Sequence, residues 1–272
     1  MEKYSVLMSL YVKEKPEYLV QAIDSMLNQT SKPNEIIIVK DGPLNDELDE
    51  IVDKFKKDNS ELFTVVKNEK NLGLGLALNE GLRVARNDLV ARMDTDDISK
   101  PDRCEKQLEV FEKNPELAIV GSWVDEFSTS PDEIISTRKV PELNKDIYNF
   151  AKKRSAFNHP AVMYRKSKVL ENNGYSDLRR NQDVDLFGRM LFAGCQAYNI
   201  QEALLWFRSN NDLSKRRKSW ENTKSYINTI KRFWKMGYSS FWNYLSVAIA
   251  QTGMFLMPVK MQNWMYRKFL RK

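Results

Sequence analysis

The segment ARMDTDDISKPDR spans residues 91–103 and places Asp94, Asp96 and Asp97 directly after the apolar-leaning run 89–93. A short apolar run that ends at polar residues is typical of a buried strand. Neighbouring carboxylates repel one another, so the cluster costs free energy unless a cation or hydrogen-bond donors offset the repulsion. The segment therefore predicts a strand that ends in an acidic site.

Strand-like and helix-like segments alternate on the N-terminal side of this segment. Strands are predicted at residues 5–10, 35–39 and 63–66, where the runs are apolar and in part β-branched. Helical spacing of apolar residues follows them, starting near Pro16, Leu48 and Leu74. This alternation predicts an α/β fold with a doubly wound, mostly parallel sheet flanked by helices.

Acidic residues follow two of the predicted strands. Asp41 comes after the second strand, and the aspartate cluster comes after the fourth. Ligands of doubly wound sheets bind at the carboxyl ends of the strands, so these acids are expected at one ligand-binding edge. The segment NLGLGL at 71–76 does not complete a dinucleotide fingerprint, because Leu78 stands where the third glycine is required.

The order of elements is looser after residue 127. We expect a loop at 128–132, a strand at 159–164, a helix at 181–194 and a short strand at 203–207. A basic loop at 212–218 and a long helix from Trp220 follow.

Composition sets broad limits on the protein. The chain has 272 residues, 42% of them hydrophobic, which is enough for a sizeable core in one large domain or one domain plus an appendage. Cys104 and Cys195 lie far apart, so neither a disulfide framework nor a zinc site is expected, and a reducing cytosol is the predicted compartment. The first residues contain no apolar run typical of a signal peptide.

Charge is divided unevenly along the chain. Residues 208–272 carry 14 Lys or Arg and 2 Asp or Glu, whereas the remaining residues are net acidic. The most apolar stretch, 241–259, is interrupted by polar residues and flanked by basic and aromatic ones. This pattern favours helices that lie in the interface of an anionic membrane over a membrane span. A helical hairpin packed on the core is the alternative.

Two known motifs compete for the aspartate cluster, and both fit poorly. In a calcium-binding EF-hand, Glu105 would fall at position twelve, but Ser99 stands at the invariant glycine and Pro101 interrupts the loop. A phosphatase-type DxDx[TV] motif lacks the Thr or Val at its last position.

Helix capping is a third interpretation. Asp97 or Asp102 could cap the helix predicted to begin near Pro101, and we expect this role for Asp97. Capping does not account for Asp94 and Asp96 as well. Mg²⁺ and Mn²⁺ prefer oxygen ligands and are held by one or two carboxylates together with substrate phosphates. The cluster therefore favours a metal–diphosphate site.

The ordered set of motifs resembles the family 2 glycosyltransferases of the GT-A fold, in particular bacterial enzymes of surface polysaccharide assembly. The matching pieces are SVLMSLY, EIIIVKDGP, NLGLGLALNEGLRVAR, ARMDTDDISKPDR, HPAVMYRKS and NQDVDLFGRM, within about residues 3–210. Each piece is degenerate, but their order and spacing together are specific.

The resemblance implies a donor site for a nucleotide-sugar. Asp96 matches the family's metal-binding acid and would hold Mn²⁺ or Mg²⁺ on the donor diphosphate. His159 is the chain's single histidine, and it is interpreted either as a further metal or phosphate contact, as in some relatives, or as a structural residue. The donor-binding residues implied are Leu10, Tyr11, Asp41, Asn71, Asp94 and Arg208.

The resemblance also implies a catalytic base at a helix start. The family's Glu-Asp pair reads Gln182-Asp183 here, which leaves the base itself, Asp183, in place. Asp185 is the alternative, but two residues further along a helix a side chain points elsewhere. Arg208 and the run Lys215, Arg216, Arg217 and Lys218 could close over the diphosphate, or the run could face anionic lipid.

These implications predict an inverting, metal-dependent glycosyltransferase. It would transfer a sugar from a nucleotide-sugar, most readily a UDP-sugar, to a glycan or polyprenyl-diphosphate-linked acceptor at the inner face of the cell membrane. The catalytic domain would span 1–212, with a donor half at 1–125 and an acceptor half at 126–212. A helical, membrane-associating extension would span 213–272.

Two other functions remain open. A nucleotidyltransferase of related fold would have a glycine-rich loop after the first strand, and SLYVKEKPEY at 9–18 contains no glycine. A non-catalytic membrane-associated partner would have little reason to keep both Asp96 and Asp183. No nucleic-acid-binding motif accompanies the basic residues, so nucleic acid is not an expected partner.

Overall fold

The computed structural model describes residues 2–209, 219–257 and 261. The strands and helices are, in order, β1 (Tyr4–Leu10), α1 (Pro16–Leu27), β2 (Glu35–Lys40), α2 (Asp46–Asp58), β3 (Phe63–Lys67), α3 (Leu74–Val84), β4 (Leu89–Met93), β5 (Ile98–Ser99), α4 (Arg103–Lys113), β6 (Leu117–Phe127), β7 (Ile134–Arg138), α5 (Asn144–Ala151), a 3₁₀ turn (His159–Ala161), β8 (Met163–Arg165), α6 (Lys166–Glu171), α7 (Gln182–Phe192), β9 (Gln196–Arg208), α8 (Trp220–Lys235) and α9 (Phe241–Leu256).

A single curled sheet organises the chain. Its strand order is β3-β2-β1-β4-β8-β6-β9-β5, and β7 pairs with β6. The first four strands are all parallel, because a helix after each of β1, β2 and β3 returns the chain to the same end of the sheet. The predicted α/β class and the doubly wound, mostly parallel sheet are confirmed.

Two apolar cores lie on opposite faces of this sheet. Successive side chains of a strand point to opposite faces, so Leu7 packs with α3, α7 and α8 while Val6 and Met8 pack with α1, α2 and α4. Strands buried on both faces read as continuous apolar runs, which is why the sequence revealed them.

The C-terminal half of the sheet is where the sequence predictions were incomplete. No strand was predicted at β6, and β9 is longer than the predicted strand 203–207. Within the predicted strand 159–164, residues His159–Ala161 form a 3₁₀ turn and only β8 is extended. The β6–β9 pairing is parallel with several register shifts, and its residues are far apart in the chain. The division between residues 125 and 126 falls inside β6, so the two halves share one sheet.

Helices α8 and α9 follow the sheet. α8 packs closely on α7, where the ring of Phe233 lies against Gly188. α9 buries little of its surface, with Val247 the buried residue, and leaves Trp242 73% and Leu256 74% exposed. Among the described helices, none combines the length and the apolarity needed to cross a bilayer.

Candidate functional site

Three aspartates meet where β4 ends. One carboxylate oxygen from each of Asp94, Asp96 and Asp97 lies within 4.8 Å of the others. Asp97 is buried, and Asp94 and Asp96 are partly buried. The parallel pairing of β1 with β2 and β4 brings Leu10, Lys40 and Met93 to the same edge, as the sequence predicted.

Asp97 does not cap a helix, so that prediction is wrong. The N-cap of α4 is Asp102, and no side chain caps this helix. Asp97 Oδ1 instead accepts a hydrogen bond from the backbone N–H of Arg208 at 2.8 Å, on the last strand of the sheet. Its Oδ2 is buried without a hydrogen-bond partner. A buried, unpartnered carboxylate oxygen is costly, which points to a cation in the functional state.

The pKa values of Asp96 and Asp97 also point to a cation at the cluster. Burial, followed by the charges of Asp94 and Glu14, raises the pKa of Asp96 to about 7. Burial and the neighbouring carboxylates raise the pKa of Asp97 well above its usual range. A divalent cation would favour the ionised carboxylates, because opposite charge favours the charged form. The oxygen-only donor set suits Mg²⁺ or Mn²⁺.

Arg92 is the buried counter-charge of the site. Its guanidinium forms an ion pair with Asp94, although it projects from an apolar strand and is 1% exposed. Its Nε and Nη1 have no hydrogen-bond partner. The sequence predictions missed this residue, and its signal was a charged residue within the apolar strand LVARM.

Arg208 fixes the loop that carries Asp94, Asp96 and Asp97 to the end of β9. Its Nε donates to the carbonyl of Asp96 at 2.8 Å and an Nη donates to Gln21 at 2.7 Å. The guanidinium also stacks over Tyr18 at 3.9 Å and over Phe127 at 4.6 Å. These contacts make Arg208 a positioning residue for the loop. The diphosphate contact predicted for Arg208 stays a prediction, and residues 215–218 lie outside the part of the chain described.

The carboxylate of Asp41 organises the loop between β3 and α3. It accepts hydrogen bonds from Asn68, from Asn71, and from the backbone N–H groups of Leu72 and Gly73, at 2.8 to 3.2 Å. These bonds engage both oxygens of the carboxylate. Asp41 is therefore the anchor of the loop that carries Asn71.

Gly42 allows that loop to approach closely. Its φ is 92°, and a Cβ there would lie 2.8 Å from the backbone nitrogen of Asn71. Glycine adopts this conformation without steric cost. The backbone N–H of Asp41 donates to Leu10 at 2.7 Å, so the end of β1, with partly exposed Tyr11, lies beside the loop. The four residues predicted to bind a donor, Leu10, Tyr11, Asp41 and Asn71, are thus brought together.

Asp183 lies in the first turn of α7. Burial raises its pKa, and the N–H of Val184 and the charges of Arg138 and Arg92 partly oppose that rise. Burial is the main cause of the raised pKa values of Tyr175 and Tyr226, and the nearby charge of Asp183 adds a smaller rise to both. A carboxyl group with a raised pKa is a better proton acceptor at neutral pH.

Asp185, the alternative base, has a structural role. Its buried carboxylate pairs with Arg189 at 3.1 Å and with Arg232, and accepts from Ser176 at 2.6 Å. These partners leave Asp183 as the carboxylate of α7 with no side-chain cation bound to it among the described residues.

His159 is not a member of the carboxylate cluster identified among the described residues. Its Nε2 forms a hydrogen bond with the hydroxyl of Tyr175 at 2.8 Å. Burial, with a smaller contribution from Arg92, lowers its pKa well below the usual range. This setting favours the structural interpretation of His159, while the predicted metal contact stays a prediction.

The profile of glycosyl transferase family 2 matches residues 5–174. The chain is 35% identical to the UDP-Gal:alpha-D-GlcNAc-diphosphoundecaprenol beta-1,3-galactosyltransferase of Escherichia coli, over 99% of this chain and 97% of that one. It is 36% identical to the amylovoran biosynthesis glycosyltransferase AmsE of Erwinia amylovora, over 97% and 98% of the two chains.

Solved structures share the fold. The S. aureus TarS 1-349 complex with UDP superposes with a TM-score of 0.63 at 16% identity, over 97% of this chain and 78% of that chain. The mannosyltransferase PcManGT of Pyrobaculum calidifontis, in complex with GDP-Man and Mn²⁺, gives 0.64 at 12% identity, over 98% and 79%. The GT-A fold is confirmed by these likenesses, and the chain belongs to glycosyl transferase family 2 and is a glycosyltransferase of polysaccharide biosynthesis.

Proposed function

We propose that the protein is an inverting, metal-dependent glycosyltransferase that uses a UDP-sugar and a lipid-diphosphate-linked acceptor. The observation that carries the proposal is the carboxylate cluster at the end of β4, with the unpartnered Oδ2 of Asp97 inside it. The acceptor class is supported by the E. coli relative, whose name specifies a diphosphoundecaprenol acceptor. The nucleotide is supported by the same name and by the TarS complex with UDP.

The donor half supplies binding and orientation. The loop anchored by Asp41, with Asn71, together with Leu10 and Tyr11, would hold the nucleoside at the edge of the sheet. Asp94 would bind the ribose, and its carboxylate forms an ion pair with the buried Arg92. Asp96, with Asp97 beside it, would hold Mn²⁺ or Mg²⁺, and that ion would stabilise the charge that develops on the departing diphosphate.

Asp183 would act as the catalytic base. It takes the proton of the acceptor hydroxyl while that oxygen bonds to the anomeric carbon and the bond from that carbon to the diphosphate oxygen breaks. One displacement inverts the anomeric centre and needs no covalent enzyme intermediate. The position of Asp183 at a helix N-terminus stabilises its ionised form, while burial keeps its pKa raised.

The C-terminal helices would associate with the inner face of the cell membrane. Trp242, Ile249 and Leu256 expose large apolar side chains on α9, and Trp234 stacks on Tyr244 at 5.5 Å beside them. Aromatic and apolar residues next to basic ones are typical of helices that lie in an anionic lipid interface. In this proposal residues 1–212 form the catalytic domain and 213–272 the membrane-associating extension of a cytoplasmic, peripheral protein.

Calorimetric titration of UDP, with GDP as a control, tests the donor site. We expect UDP binding with Mn²⁺, loss of that binding in EDTA, and loss in Asp96→Asn. Asp102→Asn is the matched control, because Asp102 lies six residues further along the chain, at the N-cap of α4, and pairs with Lys106. Equal binding of UDP with and without metal would remove the role of Asp96. Absence of nucleotide binding would refute the donor site altogether.

A further inference from the structure

A basic cleft opens between the loop that precedes α7 and helix α8. Its volume is about 250 Å³, several times the roughly 30 Å³ that one water molecule occupies in the liquid. The charged residues that line this basic cleft are Arg179, Arg180, Lys224, Arg232 and Glu221. Four cations against one anion make the cleft attractive to a compact, multiply charged anion.

Two of the four cations are available to a ligand. Arg232 is paired with Asp185, and Arg179 donates to the side chain of Asn71 at 3.2 Å. Among the described residues, no hydrogen bond or ion pair engages the side chain of Arg180 or of Lys224. Cations placed together without an anion repel one another, and an anion bound between them would remove that repulsion.

The walls of the basic cleft are fixed by contacts that do not involve a ligand. Ser225 Oγ, on α8, donates to the carbonyl of Arg180 at 2.8 Å. The ring of Phe233 packs against the backbone of Gly188, which holds α8 on α7. The Arg232–Asp185 ion pair joins the same two helices. The backbone segments that carry Arg180 and Lys224 are therefore held next to each other before any ligand arrives, so binding has to order only the two side chains.

The basic cleft lies next to both halves of the proposed active site. Arg179 contacts Asn71 of the loop anchored by Asp41. Arg180 is three residues before Asp183, the proposed base. Tyr226 of α8 lies near enough to Asp183 for that charge to add to the rise that burial causes in the pKa of Tyr226. An acceptor whose hydroxyl reaches Asp183 would therefore carry its remaining groups past this cleft.

We propose that the basic cleft binds the diphosphate of the lipid-linked acceptor through Arg180 and Lys224. This inference rests on the proposed function and adds the subsite that recognises the acceptor's charge. The donor diphosphate is assigned to the aspartate cluster, so each diphosphate has its own site. Arg180 and Lys224 together can form several charge-assisted hydrogen bonds to phosphate oxygens.

Titration with farnesyl diphosphate tests the inference without knowledge of the acceptor's sugar. The titration is carried out in EDTA, so that a metal-held diphosphate at the aspartate cluster does not contribute. The test protein is the double variant Arg180→Gln/Lys224→Gln. The matched control is Lys56→Gln/Lys57→Gln, which removes two exposed cations from α2 on the opposite face of the sheet.

We expect the wild type and the control to bind equally, and the double variant to bind at least about tenfold more weakly, because two charge-assisted contacts are lost. Equal binding by the double variant, or none by the wild type, would overturn the inference. UDP titration with Mn²⁺ is run on all three proteins, and we expect it to be unchanged. A loss of UDP binding in every protein would instead tell against the proposed function.

Phospholipid headgroups are a second source of phosphate, and a vesicle experiment separates them from the acceptor. Co-sedimentation with phosphatidylglycerol vesicles is measured for the same variants. If the double variant leaves the vesicles but keeps its affinity for farnesyl diphosphate, the basic cleft binds membrane lipid and the inference is wrong. The expected result is weaker binding of farnesyl diphosphate with vesicle binding within about twofold of the control.

Discussion

The contact between α7 and α8 can be tested by one added methyl group. A Cβ at Gly188 would lie 2.0 Å from Phe233 Cζ and 2.6 and 2.7 Å from its two Cε atoms. Phe233 is fully buried, so its ring is not free to move away. Overpacking of this kind costs up to about 3 kcal/mol, and the better helix propensity of alanine returns about 1 kcal/mol. Gly188→Ala should therefore lower the free energy of unfolding by about 2 kcal/mol.

Urea unfolding followed by tryptophan fluorescence measures this change. With an m-value of about 3 kcal/mol/M, the expected shift in the midpoint is about 0.7 M downward. Gly253→Ala is the matched control, because Gly253 lies in α9 and its added Cβ would meet nothing within 4 Å. The control should not lower the midpoint. A second variant, Gly188→Ala with Phe233→Leu, should lose less stability than the sum of the two single changes.

The reasoning fails if Gly188→Ala is as stable as Gly253→Ala. It also fails if the double variant shows strict additivity, because the proposed clash requires both the added methyl and the ring.

Three further predictions concern the proposed active site. Asp183→Asn should lower kcat by about 10²- to 10⁴-fold and leave UDP affinity within about twofold. A loss of UDP affinity as large as the loss of kcat, measured by calorimetry, would contradict its role as a base. The wild-type kcat/KM should fall on acidification with an apparent pKa above the ordinary Asp value of about 3.9, since burial raises the pKa of Asp183 and the base works only when ionised. In that profile the groups facing Asp183 are Arg92, Arg138, Tyr175 and Tyr226, and an acid limb at or below the ordinary Asp value would refute the assignment. Asp41→Asn replaces one acceptor oxygen by a donor amide, so we expect UDP affinity to fall at least about tenfold through loosening of the loop; unchanged affinity by calorimetry would show that the loop does not need its anchor.

The parallel half of the sheet was predictable because its signals are local. Each strand is an apolar run and each helix shows helical spacing, so β1 to β4 could be located from neighbouring residues alone. Those strands predicted that Asp41 and Asp94 follow strands ending at the same edge of the sheet, and the parallel pairing of β1 with β2 and with β4 confirms that placement.

What the sequence predictions lacked depends on residues far apart in the chain. Asp97 was assigned to a helix nearby, but its partner is the backbone of Arg208, 111 residues away. Arg92 could be recognised as unusual within its strand, but its ion pair with Asp94 depends on how that strand ends. The basic cleft is lined both by residues before α7 and by residues of α8. The spacing of residues within either segment does not predict that the two segments lie side by side.

The contacts of Arg208 indicate when, during synthesis, the loop that carries Asp94, Asp96 and Asp97 can reach its final structure. Strand β5, which directly follows Asp97, pairs with Leu205 and Trp206 of β9, and Arg208 of β9 contacts Asp96 and Asp97. A ribosome adds roughly 5–20 residues per second, so the more than one hundred intervening residues delay this closure by roughly 5–20 s. The first strands can pair during that interval, whereas the loop that carries Asp94, Asp96 and Asp97 cannot close until β9 has been synthesised. The proposed metal site should thus be completed only after β9 has been synthesised, by which time the strands and helices of the N-terminal half have had time to pack.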